Sequence, residues 1–336
     1  MMRLFVCIVD LDESWQRFRQ PNPNPNRDRI MADRNSTPDA AYSEALRRIE
    51  DCRKGENCTQ LDLSALQLSV VPPEVSQLTA LTHLNISFNQ LDALPSEIGQ
   101  LTDLTHLDLT VNSLTMLPAE IGKLVRLTFL AVSSNMLTEL PWEIGGLSKL
   151  TTLKIGGNWI TELPPKIIAR LFELELFDVR RNRLTELPRE LCSLTNLKTL
   201  DVGNNQLREL PRELGNLTNL KTLNVGNNLL SSFPPEIGKL TALSKLDLQR
   251  SGLTLFPPAI LQLTQLEYLG LADNQLTGLP PEIGRLDSMR TLDLDGNRID
   301  RLPPEICRLT ALRCLRLCRN ELTSFPHEIL RLNWLK

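Results

Sequence analysis

A 23-residue period recurs from Cys58 to Trp334, and it restricts what the chain can fold into more than any other feature. One unit runs from Leu220 to Ala242 as LKTLNVGNNLLSSFPPEIGKLTA, and twelve units align, starting at Cys58, Leu81, Leu104, Leu127, Leu150, Leu174, Leu197, Leu220, Leu243, Leu266, Met289 and Leu312. Self-similarity at this length marks stacked supersecondary units, none of which can bury its apolar face alone. Such an array grows by repetition rather than by division into domains, and it points to binding before catalysis.

Within a unit, positions 1, 4 and 6 are apolar, as in Leu104, Leu107 and Leu109. Apolar residues at alternating positions 4 and 6 predict a short strand with one face inward. Position 9 is Asn in ten of the twelve units, an amide with donors and an acceptor to tie the turning chain to the next unit. Position 15 is Pro in all twelve, from Pro72 to Pro326. Proline removes a donor and ends the strand there. A Glu-Ile-Gly stretch then opens a short helical turn that buries positions 18 and 21, as in Ile98 and Leu101. Each strand starts at the same point of the coil, so the strands stack in parallel. Some units depart from the pattern. The unit at Leu150 has one extra residue within Ile167 to Arg170, and the unit at Leu243 has Ser251 for the ladder Asn and Ala259 for Glu.

These units match LxxLxLxxNxL followed by LPxEIGxLxx, as in Leu140-Pro141-Trp142-Glu143-Ile144-Gly145 and Leu279-Pro280-Pro281-Glu282-Ile283-Gly284. The chain thus resembles the Ras-group subfamily of intracellular leucine-rich repeat proteins over most of its length. The resemblance implies an α/β fold, a leucine-rich repeat solenoid or horseshoe. Its concave sheet is parallel, and short helical turns and extended segments form its convex side. It also implies protein partners on the inner sheet, small GTPases or phosphatases among them. The same repeats occur on larger enzymes, so the competing expectation is the recognition segment of a Roco-type GTPase or ubiquitin ligase.

Three parts are expected. Residues 1–36 include Gln-Pro-Asn-Pro-Asn-Pro-Asn at Gln20 to Asn26, a tract that cannot bury a core and is expected to be disordered. Met31 is an alternative start. Residues 37–57 are expected to form an N-terminal capping helix, with Thr37 as N-cap, Pro38 at N1, and Tyr42, Ala45, Leu46, Ile49 and Cys52 on one face. Residues 58–336 are the repeats, and they stop as if a thirteenth had begun, so a partner covering that end or a longer chain is expected.

A net charge of -3 and a pI near 5.8 give no basic footprint for nucleic acid. The apolar run Leu4–Val9 is too short for a secretory signal, and no stretch reaches the length of a membrane span. Seven cysteines, an odd and scattered set, make a poor disulfide framework. Exported members of the resembled family carry a cysteine cluster at each end, and the pair Cys52 and Cys58 is not read as one. These features set a cytoplasmic expectation, with the sequons at Asn35, Asn57, Asn85 and Asn216 read as chance.

Partner information belongs at the variable strand positions 3, 5, 7, 8 and 10. An apolar zone is expected at Phe88, Val111, Phe129, Met136, Trp159 and Leu176, with Trp159 as anchor. Against it stands local packing of Val111 and Met136 at the strand ends. A basic zone is expected at Arg180, Arg181, Arg183 and Lys154, suited to carboxylates or phosphates, with Asp178 and Glu186 near enough to neutralise part of it. Asp at position 5 recurs too regularly to be a site.

For chemistry, His83 and His106 fall in position 3 of consecutive units, about 4.8 Å apart, with Asp108 on the same face. A divalent metal there is weighed against coincidence of the repeat, and coincidence is preferred. Cys314 and Cys318 lie about 13 Å apart along one strand, too far to share a zinc. Cys58, Cys192 and Cys307 read as packing residues. No phosphate-binding loop, nucleophile elbow or zinc-protease motif occurs. The expectation is a non-enzymatic protein-binding scaffold in intracellular signalling, with no cofactor.

Overall fold

Each strand of this fold is three residues long, and a left-handed residue three positions beyond it is what stops it. Every described repeat carries such a residue at position 8, from Ala65 (φ 58°) to Arg319 (φ 56°), which swings the chain out of the sheet. The computed structural model describes residues 38–55, 58–230, 232–324 and 326. It divides into two compact units between Asn158 and Trp159. The expected extension 1–36, the Thr37 cap and the C-terminal residues from 327 lie outside the described residues.

The first unit opens with helix α1 (Pro38–Lys54), whose buried Ala41, Ala45, Ile49 and Cys52 lie against the first repeat. Five strands follow: β1 (Gln60–Asp62), β2 (His83–Asn85), β3 (His106–Asp108), β4 (Phe129–Ala131) and β5 (Thr152–Lys154). Each pairs in parallel with the next in a register of one repeat, Gln60 with His83, His83 with His106, His106 with Phe129 and Phe129 with Thr152. The second unit holds a short helix α2 (Pro165–Ile168) and seven strands: β6 (Leu176–Asp178), β7 (Thr199–Asp201), β8 (Thr222–Asn224), β9 (Lys245–Asp247), β10 (Tyr268–Gly270), β11 (Thr291–Asp293) and β12 (Cys314–Arg316). These too are parallel and follow chain order.

The proline at position 15 holds extended geometry (Pro118: φ -67°, ψ 150°) and launches a turn of 3-10 helix, here Ala119–Lys123. The expected helical turns are therefore tighter than α-helix. The exception is α2, which falls in the unit with the extra residue: one more residue relaxes the 3-10 turn into a short α-helix. Glycine at position 19 lets neighbouring turns close up. A Cβ on Gly122 would stand 2.7 Å from the Glu143 carbonyl oxygen. Where Cys192 takes this slot it is buried, and burial pushes its thiol up to about 12, consistent with packing rather than reactivity.

Between sheet and turns runs the asparagine ladder. Asn135 donates to the carbonyls of Leu109 (3.0 Å) and Val132 (3.1 Å) and accepts from Leu114 N–H (2.9 Å). One amide thus satisfies polar backbone in two repeats that water cannot reach. At Ser251 the ladder thins, because its hydroxyl reaches Val225 and Gln249 carbonyls only at 3.5 Å. The aspartates at position 5 are also structural: Asp108 accepts from Thr110 N–H (2.9 Å) and Asp201 from Gly203 N–H (3.0 Å), closing the bend after the strand.

Cys58 is not a packing residue. It is disulfide-bonded to Cys52, with Cα atoms 5.2 Å apart, and so clasps α1 to the first repeat. The odd cysteine count concealed this pair, because pairing depends on the α1 C-terminus returning to the start of β1.

Candidate partner-binding face

In each strand the central residue is buried while its two neighbours point away from the core, as in β2, where Leu84 is buried between half-buried His83 and Asn85. The outward residues are laid out by the register in rows, described here one unit at a time.

In the first unit, row 3 reads Gln60, His83, His106, Phe129 and Thr152, and row 5 reads Asp62, Asn85, Asp108, Ala131 and Lys154. The one-repeat register stacks the rings. His83 and His106 lie 4.2 Å apart between centroids with planes 13° from parallel, and His106 stacks on Phe129 at 5.7 Å and 19°. Lys154 places its ammonium 5.3 Å from the Phe129 centroid, a cation–π contact. Phe88 and Val111 occupy the left-handed position 8 (φ 57° each). Val111 is 38% and Met136 39% exposed, so local packing covers neither.

A threonine hydroxyl lies against each imidazole. Thr82 and Thr105 Oγ1 lie 2.8 and 2.9 Å from the Nδ1 atoms of His83 and His106. Each hydroxyl donates to the backbone carbonyl one repeat back, Thr82 to Thr59 and Thr105 to Thr82. Thr128 and Thr151 make the same bond where no histidine follows, so that bond belongs to the repeat. With the hydroxyl proton on that carbonyl, Oγ1 accepts from Nδ1–H and Nε2 of each ring is the lone-pair acceptor; the other tautomer reverses these roles. Burial, and then the proximity of His83, holds the His106 pKa below the ordinary imidazole value.

Near-parallel rings also send their Nε2 lone pairs side by side. A metal needs them to converge on one point about 2.0–2.1 Å from each nitrogen, which the stacked rings do not provide. Among the described residues no group of three or more His, Cys, Asp or Glu is placed to hold an ion.

In the second unit, Trp159 is 44% exposed and the Arg183 guanidinium lies 5.2 Å from its ring centroid. Arg180 is drawn onto Asp178 (3.3 Å) and Asp201 (3.7 Å), so the neutralising carboxylates are Asp178 and Asp201, and Glu186 forms no ion pair among the described residues. Burial, then Asp178, raises Asp201 to about 6, against the Gly203 N–H and Arg180. Arg181 is exposed at φ 54°, and Leu176 is half-buried at the start of β6. The ten expected residues fall in both units. In the first unit Phe129 and Lys154 are brought together, in the second Trp159 and Arg183, while Arg180 is spent on its own carboxylates. The sequence reading missed the π-stack, although two histidines in homologous slots of adjacent repeats were its visible signal.

A comparison with curated protein sequences finds no match. Among solved structures, the chain is similar to a leucine-rich repeat protein of Leptospira interrogans, with 38% identity over 80% of this chain and 74% of that one and a TM-score of 0.69. It is similar to the plant peptide hormone receptor RGFR1 in complex with RGF2, with 30% identity over 83% of this chain and 54% of that one and a TM-score of 0.60. It is also similar to the ectodomain of the Arabidopsis receptor kinase HAESA in complex with an extended IDA peptide hormone, with 27% identity, 78% and 46% coverage and a TM-score of 0.68. It spans about half the length of the two plant receptor chains. The leucine-rich repeat region family matches residues 166–255 and 258–336, and a second leucine rich repeat family matches residues 79–137. With its parallel three-residue strands, asparagine ladder and 3-10 turns, the chain belongs to the leucine-rich repeat proteins.

Proposed function

We propose that this protein is a non-enzymatic scaffold that binds protein partners on the outward rows of its sheet, with a role in signal transduction. The observation that carries this reading is the pair of partly exposed aromatic groups beside cations: half-buried Phe129 on the outward row of β4 in the first unit, and Trp159, 44% exposed, in the second. Rigid aromatic side chains flanked by cations are a frequent composition of binding hot spots. Similar solved structures are described with peptide hormones bound, which supports a peptide or protein ligand. The Ras-group form of the units favours an intracellular scaffold acting on small GTPases or phosphatases.

The cytoplasmic part of this reading rests on the short apolar run Leu4–Val9 and on cysteines read as a poor disulfide framework, and the Cys52–Cys58 bond weakens the second premise. Maleimide labelling of native protein from its own cell tests it: labelled Cys52 and Cys58 support a reducing compartment, and protected ones move the protein to an oxidising one. The binding reading is tested by affinity capture with the intact protein and a Trp159→Ala, Arg181→Glu double variant. Loss of captured partners by the folded variant is expected, and identical partner sets for the two would sink the placement on this face.

A further inference from the structure

We infer that the His83–His106 pair on the first unit's sheet is a subsite for the guanidinium of a partner's arginine side chain, open only while both imidazoles are neutral. This deepens the binding reading above and rests on it.

Three features carry it. First, Thr82 and Thr105 Oγ1 lie beside the Nδ1 atoms; with each hydroxyl accepting Nδ1–H, two Nε2 acceptors stand on adjacent strands, and neither makes a hydrogen bond among the described residues. Two parallel acceptors suit a planar, forked donor. Secondly, the charge surrounding them is acidic. From β1 come Gln60 and Asp62, from β2 Asn85, from β3 Asp108, and from β4 the uncharged Phe129. Asp62 and Asp108 each use one carboxylate oxygen on their own bend, with Ser64 and Thr110 N–H. The cations nearby are already engaged. Lys154 of β5 sits over Phe129 at the far end of the row. Arg48 of α1, which reaches the Asp62 carbonyl, is ion-paired to Glu44 at 2.8 Å. Thirdly, the rings are stacked at 4.2 Å, so a proton on either places a positive charge where the guanidinium would sit and beside the other ring.

The sign of the pH dependence follows. Binding requires unprotonated imidazoles, so it is complete above the imidazole pKa and is lost as pH falls through it. The downward shift of His106 moves the loss to lower pH than for a free histidine.

The test uses the full chain, which has 3 histidines, with its imidazoles isotope-labelled and assigned through His83→Gln and His106→Gln. Imidazole nitrogen shifts should report Nδ1–H for both residues; an Nε2–H tautomer would overturn the proposal. The probe is the peptide acetyl-Gly-Arg-Gly-amide, with its Glu and Gln counterparts as controls. At about pH 7.5 the arginine peptide should shift both histidine signals and the controls should not. About one unit below the ordinary imidazole pKa, roughly a tenth of an ordinary imidazole stays neutral, and the apparent affinity should fall about tenfold. The His83→Gln, His106→Gln double variant should lose that pH dependence. Equal binding of the glutamate peptide, unchanged affinity at low pH, or the same pH profile in the double variant would each refute it. Because this readout involves neither Trp159 nor Arg181, its failure is distinguishable from failure of the capture experiment.

Discussion

At the scale of single residues, the structure separates those that pay for themselves in packing from those that do not. Val111 is β-branched and holds φ 57°, a backbone state that costs a residue with a Cβ about 1–2 kcal/mol. Asn takes the same slot at Asn204 and Asn227 and tolerates it. Val111→Asn should therefore raise the melting temperature, by about 1 kcal/mol of stability in denaturant titration, while weakening any partner seated on Val111. A stabilised variant with unchanged binding would leave the strain without a function. Asp201 shows the opposite conflict. Its carboxyl is raised from 3.8 to about 6, chiefly by burial, so the folded state keeps a proton that the unfolded state has released. Stability from this group is full below about 3.8 and is lost as pH rises to about 6. Asn224 already makes the equivalent bend bond, to Gly226 N–H at 2.9 Å. Asp201→Asn should thus gain about 2–3 kcal/mol at pH near 7.5 and nothing near pH 3.5, and equal gains at both would refute the burial argument.

At the scale of elements, repeat chemistry was largely legible in the sequence. Strand placement, the Pro-initiated turn and the asparagine ladder follow from side chains at fixed offsets, because parallel register forces equivalent residues into equivalent environments. The extra residue within Ile167 to Arg170 was visible too, and its consequence, α2 in place of a 3-10 turn, is local geometry. The clasp between α1 and β1 was not legible. It depends on where the helix ends in space, and Cys52 and Cys58 enclose too little sequence to show that. Removing it with Cys58→Ser should cost about 2 kcal/mol in the chain-entropy account. Amide exchange in α1 should accelerate while β6–β12 keep their protection. Unchanged exchange in α1 would mean that Ala41, Ala45 and Ile49 hold the helix unaided.

At the scale of the whole molecule, stability within each compact unit is shared among neighbouring repeats, each strand bonding to the next in its unit, and among the described residues no cluster is placed to hold a metal ion. Chelation with EDTA should accordingly leave the melting curve unchanged; a lowered midpoint would require a site that the stacked histidines do not make. The sequence alone determined the repeat, its period, the buried Leu, Asn and Pro positions and thereby the fold, because a side chain that recurs every 23 residues meets its own equivalent across the sheet. It also indicated that variable positions carry the specificity. Only the tertiary structure decided which variable residues meet. It set Lys154 over Phe129, paired Arg180 with Asp178 and Asp201, joined Cys52 to Cys58, and stacked the rings of the two histidines. The reason is physical: a period fixes backbone register, but the rotamers, ring planes and proton positions that make a site are set by the neighbours each side chain finds.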